Sequence, residues 1–350
     1  MNITVCFSVF LLSTTLVFIR EPDTNDTLPL NISSLPRLWD WAPLLQFMGM
    51  RFFFIPPLIC LLVAAAVIPF ILFAIFSNFR ARQEPRYLIL GSAMLYNLLY
   101  LFFYTLLTVL NVADLRLPRN ACVLLLFLIS QTYCGSLLTA VAMVLDTYVA
   151  ILWPLHYASI VTLLRTKKLI LSIWVFAGLF PAILFFILWA TQEPTLCPVE
   201  VCSLPVILVM TLQGDNTVKF CYVLSVASLF LCLFLITFCY FRLYVKTHQL
   251  GIWRGVTSRA SITFLMHHTV LFLHFCPLLA HVVETLLYSN HHISLQTGIW
   301  LSVIICNILV VLPKALSPYL YGLRYREITK SLRLLCGRKQ PNLRPPAMLS

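Results

Sequence analysis

The chain predicts an all-α membrane protein, a seven-transmembrane helix bundle with its N-terminus outside and a short amphipathic helix after the seventh span. Three observations carry this. Seven long apolar stretches divide the 350 residues, the composition is 61% hydrophobic and only 10% charged, and most of the basic residues fall on one side of the bundle. Soluble domains average about 25% charged residues, so a folded aqueous enzyme is excluded on composition.

Residues 1–51 form the expected extracellular N-terminal region. Asn2-Ile-Thr4, Asn25-Asp-Thr27 and Asn31-Ile-Ser33 are N-x-S/T acceptors, which makes Asn2, Asn25 and Asn31 candidate glycosylation sites. Ile3–Ile19 is an apolar run ending at Arg20, about the length of a signal-peptide core but without a basic n-region. Cleavage and retention as an embedded segment stand as equal alternatives; cleavage would remove Asn2.

Residues 52–322 form the expected seven-helix domain. Its apolar stretches are Phe52–Phe76, Tyr87–Leu110, Cys122–Leu152, Leu169–Trp189, Phe220–Tyr244, Ile262–Leu287 and Gly298–Tyr321. A hydrocarbon core about 30 Å thick takes about 20 helical residues, and each stretch supplies them. Helices also satisfy their own backbone hydrogen bonds, which lipid cannot do. With the N-terminus outside, 17 of the 24 basic residues are cytoplasmic, against six outside and Lys314 inside the last span. Nine of the 12 acids lie outside. That asymmetry fixes the orientation, and it assigns the +12 net charge to topology and anionic lipid contact, not to nucleic acid.

Of the 12 cysteines, Cys60, Cys134, Cys232, Cys239, Cys276 and Cys306 lie in spans and read as packing residues. Cys122 at the outer end of the third span and Cys197 and Cys202 in the following outer loop face an oxidising compartment. Cys122 is expected to pair into that loop, with Cys202 preferred and Cys197 the alternative. No Cys/His spacing suggests a metal, no catalytic or phosphate-binding motif suggests an enzyme, and no cofactor is implied.

Residues 323–350 form the expected cytoplasmic tail. Leu323–Cys336 places Leu323, Ile328, Leu332 and Leu335 along one side of a basic helix, a pattern that lies in the membrane interface. Cys336 is a palmitoylation candidate beside Arg338 and Lys339. The Pro-rich remainder is expected to be disordered.

The ordered motifs resemble the rhodopsin-like (class A) G-protein-coupled receptors from the first span onward. Cys122 precedes Thr147 by 25 residues, and the third span ends Met143-Val-Leu-Asp-Thr-Tyr-Val-Ala-Ile151, followed by Pro154-Leu-His-Tyr157, similar to the olfactory-receptor version of this run. Trp174 lies mid-way in the fourth span, Pro277 follows His274-Phe275-Cys276 in the sixth, and Ser317-Pro-Tyr-Leu-Tyr321 ends the seventh. The resemblance implies a plasma-membrane receptor that passes ligand binding to a heterotrimeric G protein. Its G-protein-face switch would comprise Asp146, Thr147, Tyr148, Tyr240, Pro318 and Tyr321. Its ligand pocket would be lined by Tyr100, Tyr104, Ile129, Tyr133, Phe275, Leu278, His281 and Asn307. Ordinary helix packing is the competing reading for each aromatic. With Ile129 at the amine counterion position, the implied ligand is an apolar small molecule, a lipid or a peptide. The olfactory-like motifs do not establish odorant detection; the longer N-terminal region fits a receptor outside that group equally well.

Several positions depart from the family. Thr147 replaces the arginine of the Asp-Arg-Tyr triplet, so the charged lock and contact of that arginine are lost. Asn97 stands for the second-helix aspartate, Pro69 for the first-helix asparagine and Cys232 for the fifth-helix proline. Lys314 is three residues past the opsin retinal position, which Val311 holds. The family's sodium cluster corresponds to Asn97, Ser136, Lys314 and Ser317, and a fixed ammonium there would repel the ion. Lys314 is expected to take its place, bonding Asn97, Ser136 and carbonyl groups; a lysine snorkelling to a wet cavity is the alternative. A second functional reading keeps the fold without the signalling, as a ligand scavenger or receptor partner.

Overall fold

The computed structural model describes residues 54–113, 115, 118–191, 301 and 304–324, with scattered positions between 223 and 287. Asn2, Asn25, Asn31, Cys197, Cys202, Tyr240, Leu278, His281 and Cys336 lie outside the described residues, as does the side chain of Tyr321. All regular structure among the described residues is helical.

Helix α1 spans Ile55–Ser77, α2 Pro85–Val112, α3 Arg119–Leu152 and α4 Leu163–Thr191. These four are long and apolar enough to cross a membrane. A shorter apolar helix, Phe272–Glu284, belongs to the sixth span. The seventh begins as a π-helical turn, Ile305–Val310, and continues as an α-helix over Val311–Arg324.

The helix starts follow from proline. Pro56 and Pro57 open α1, Pro85 opens α2, and Pro118 is the extended residue before α3. Proline's fixed φ suits the first turn, where its missing N–H has no partner to lose. Pro69, Pro181 and Pro318 sit inside helices, which membrane spans tolerate because neighbouring groups re-satisfy the freed carbonyls. Helix α4 begins six residues before the apolar stretch read from the sequence. Thr162, Arg165, Lys167 and Lys168 hold this extra turn and a half in water, where a helix needs no apolar side chains. The Arg165 guanidinium donates to the carbonyls of Ser159 and Ile160 at 2.9 and 3.0 Å, tying the helix start to the preceding loop.

Each helix divides its apolar residues between neighbours and lipid. In α1, Ala64, Ile68, Ile71 and Ile75 are buried at helical spacing, while Leu62, Phe70, Phe73 and Phe76 stay exposed. Helix α2 is the hub, packing against α1, α3, α4 and the seventh-span helix. Tyr96 shows how. Its ring stacks on Trp174 of α4 with centroids 4.3 Å apart, and it lies where a Cβ on Gly135 of α3 would be. A small residue is required there for the two backbones to approach.

Candidate functional site

A closed hydrogen-bonded loop occupies the middle of the bundle. The Lys314 ammonium donates to Ser136 Oγ at 2.7 Å, and Ser136 Oγ donates to Asn97 Oδ1 at 2.6 Å. Asn97 Nδ2 donates to Ser317 Oγ at 2.6 Å, and Ser317 Oγ donates to the Lys314 carbonyl at 3.1 Å. The loop thus starts and ends on Lys314. It joins α2, α3 and the seventh-span helix, and every member is buried. Chains of this kind polarise one another in a low-dielectric interior, so the loop is stronger than its bonds taken singly.

His274 adds the sixth span, its Nε2 lying 3.2 Å from Ser136 Oγ. Tyr133 donates from its hydroxyl to the His274 carbonyl at 3.3 Å. Ser136 has one proton and two lone pairs. With the proton on Asn97 and one lone pair on Lys314, the remaining lone pair receives an Nε2–H from His274. The rest of the ammonium is covered by aromatic faces, Tyr133 at 4.7 Å and Tyr100 at 5.6 Å from the ring centroids. Cation–π contact supplies part of what lost water took away.

The arrangement differs in one respect from the expected set. Asn97 does not touch the ammonium; it is reached through Ser136, because its amide is already committed to Ser136 and Ser317. The carbonyl in the loop is the one Lys314 itself offers to Ser317. His274 was not among the residues singled out from the sequence for this cluster. Its only sequence signal is its place immediately before Phe275, one turn from the helix-breaking Pro277.

Directly outward from the loop, Tyr100 stacks on Tyr104 at 5.7 Å and stands 6.0 Å from Tyr133. Tyr100, Tyr104, Ile129, Phe275 and Asn307 are all buried, and Tyr133 partly so. Asn307 lies in the π-helical turn, a distortion that recurs at functional sites. Cys122, further out on α3, is disulfide-bonded, its partner lying outside the described residues.

On the cytoplasmic side, Thr147 Oγ1 donates back to the Met143 carbonyl at 2.9 Å. Asp146 accepts from the Tyr157 hydroxyl at 2.8 Å. Burial and this bond to a carboxylate push the Tyr157 phenol up from its ordinary value, so it keeps its proton as the donor throughout the physiological range. Tyr148 packs edge-on against Trp153 at 6.1 Å. Pro318 is buried within the seventh-span helix.

Residues 69–321 match the family of 7 transmembrane receptors (rhodopsin family). The human "Probable G-protein coupled receptor 148" is 30% identical over 295 residues, covering 80% of this chain and 81% of the human one. Olfactory receptor 1 of Rattus norvegicus is 31% identical over 213 residues, covering 57% of this chain and 62% of its own. Human Olfactory receptor 51E1 is 28% identical over 220 residues, covering 61% and 65%. A buried polar loop, an apolar outer layer and a cytoplasmic Asp-Thr-Tyr end therefore sit on a seven-helix scaffold, and the chain belongs to the rhodopsin-like, class A G-protein-coupled receptors of the plasma membrane.

Proposed function

We propose that an apolar ligand, whether small molecule, lipid or peptide, occupies the layer formed by Tyr100, Tyr104, Ile129, Tyr133, Phe275 and Asn307, together with Leu278 and His281. Its occupancy passes to a heterotrimeric G protein through a shift of the sixth span about Phe275 and Pro277. The observation that carries this reading is the contact of His274 and Lys314 with the same Ser136 oxygen. That oxygen latches the sixth and seventh spans to α3, one turn below the ligand layer. A ligand that binds the unlatched arrangement better shifts the population toward it, and the transducer favours the same state, so the two affinities are coupled reciprocally. Tyr240 and Tyr321 would support the open cytoplasmic cleft, and Cys202 (or Cys197) would hold the outer loop to Cys122. Glycans on Asn2, Asn25 and Asn31 and an acyl chain on Cys336 complete the membrane setting.

A second reading, a seven-helix protein that binds ligand or a partner receptor without signalling, draws on Thr147. Its hydroxyl is turned back on its own helix, and threonine offers no charge to a transducer. G-protein activation by the wild type and Thr147→Arg, at matched surface expression, separates the two. Wild-type activity above untransfected cells, raised further by arginine, is the expected result. A silent wild type with activity restored in Thr147→Arg would overturn signalling and leave the binding role.

A further inference from the structure

The Lys314 ammonium is 1% exposed, and its partners are one hydroxyl and two ring faces. No carboxylate among the described residues lies within ion-pair distance of it. Glu284, the buried acid of the sixth span, lies ten residues outward of His274, about 15 Å along the helix. Asn97, bonded to the same Ser136 oxygen, is an amide. This basic group therefore sits mid-bundle with no counterion among the described residues, an arrangement that is costly in lipid surroundings and common where a ligand or ion supplies the missing charge.

The position of this charge matters as much as its lack of a partner. Tyr133 is one turn outward of Ser136 on α3, and Tyr100 is one turn outward of Asn97 on α2. Their rings form the roof over the ammonium and the floor of the ligand layer. Tyr104, Ile129 and Asn307, the next groups outward, are uncharged. Among these described residues the charge at the floor is that of Lys314, and the buried acid Glu284 stands well outward of it. The Lys314 charge rejects protonated amines and draws an anion toward the floor.

We propose that the ligand is an apolar molecule with a single anionic head group, a carboxylate, which displaces one tyrosine ring and pairs with Lys314. This deepens the receptor reading above and rests on it for its consequence. A carboxylate competes with Ser136 for the ammonium. Pairing with the ligand loosens the hold of Lys314 on Ser136, and with it the joint latch on the sixth and seventh spans. The apolar walls take the tail, and the single buried charge sets the specificity.

The test is thermal unfolding of the purified, full-length receptor with a series of straight-chain and aryl carboxylates from butanoate to tetradecanoate length. Each acid is compared with its methyl ester and its alcohol. At least one acid is expected to raise Tm by about 3 °C or more, its ester and alcohol being inert, with the shift lost in Lys314→Met and kept in Lys314→Arg. Asn97→Asp guards against a misfolded Lys314→Met, because it places an internal carboxylate one hydroxyl away from the ammonium, across Ser136. It is expected to raise Tm without ligand and to abolish the acid response. Equal shifts from acids and esters, no shift from any acid, or an acid response that survives in both Lys314→Met and Asn97→Asp would overturn the proposal. Binding of an acid with no G-protein activation would leave the ligand class standing and remove the signalling reading, so the two fail separately.

Discussion

At the scale of single residues, the polar positions do more than their number suggests. Ser136 uses all three of its hydrogen-bonding capacities, so its loss would break the bonds that Lys314, Asn97 and His274 each make to it. Gly135 next to it works by absence. The Tyr96 ring fills the space a side chain would take, and Trp174 holds that ring from the far side. Gly135→Ala is expected to push Tyr96 off Trp174 and lower stability by about 1–3 kcal/mol, read as a fall in Tm of the purified receptor. A Tm equal to wild type would mean the ring can move freely, contrary to its stacked position. The exposed Glu84–Arg86 pair at 3.1 Å contributes little by comparison, since water screens both partners.

At the scale of elements, the helices were legible and their meetings were not. The four long spans lie where the apolar stretches put them, because a hydrocarbon solvent leaves a backbone no alternative to helix. Their ends shifted where water takes over, as at Leu163–Lys168, since apolar content no longer decides there. The π turn at Ile305–Val310, with Cys306 and Asn307 buried within it, had no sequence signal. The link between α3 and the second cytoplasmic loop was also unread. Asp146 takes its hydrogen bond from Tyr157, eleven residues on, where the family pattern directs attention to an arginine at position 147. Tyr157→Phe is expected to remove this bond, speed amide hydrogen exchange across residues 153–162 and cost about 1 kcal/mol. Unchanged exchange in that loop would show that the bond does not order it.

At the scale of the whole molecule, one tethered cation bridges helices that meet nowhere in sequence. The loop joins positions 39, 178 and 220 residues apart. With Lys314 already bonded to Ser136, sodium finds a like charge and no carboxylate among the described residues of the loop. Replacing sodium chloride by choline chloride at constant ionic strength is therefore expected to leave Tm unchanged in the wild type. A sodium-dependent rise in Tm would show that the ion still enters and that Lys314 does not take its place.

The sequence by itself determined the solvent, the number and direction of the spans and the family, because hydrophobic length and charge asymmetry are properties of the chain read locally. It also marked Lys314, Asn97, Ser136 and Ser317 as a set, through the resemblance. Only the tertiary structure decided the order in which they bond, that Asn97 meets the ammonium through Ser136, and that His274 shares the same oxygen. Those facts depend on which rotamers four separate helices bring within 3.2 Å of one another. No local pattern encodes such distances; they come from helix packing, of which the Tyr96, Gly135 and Trp174 contact between α2, α3 and α4 is one part.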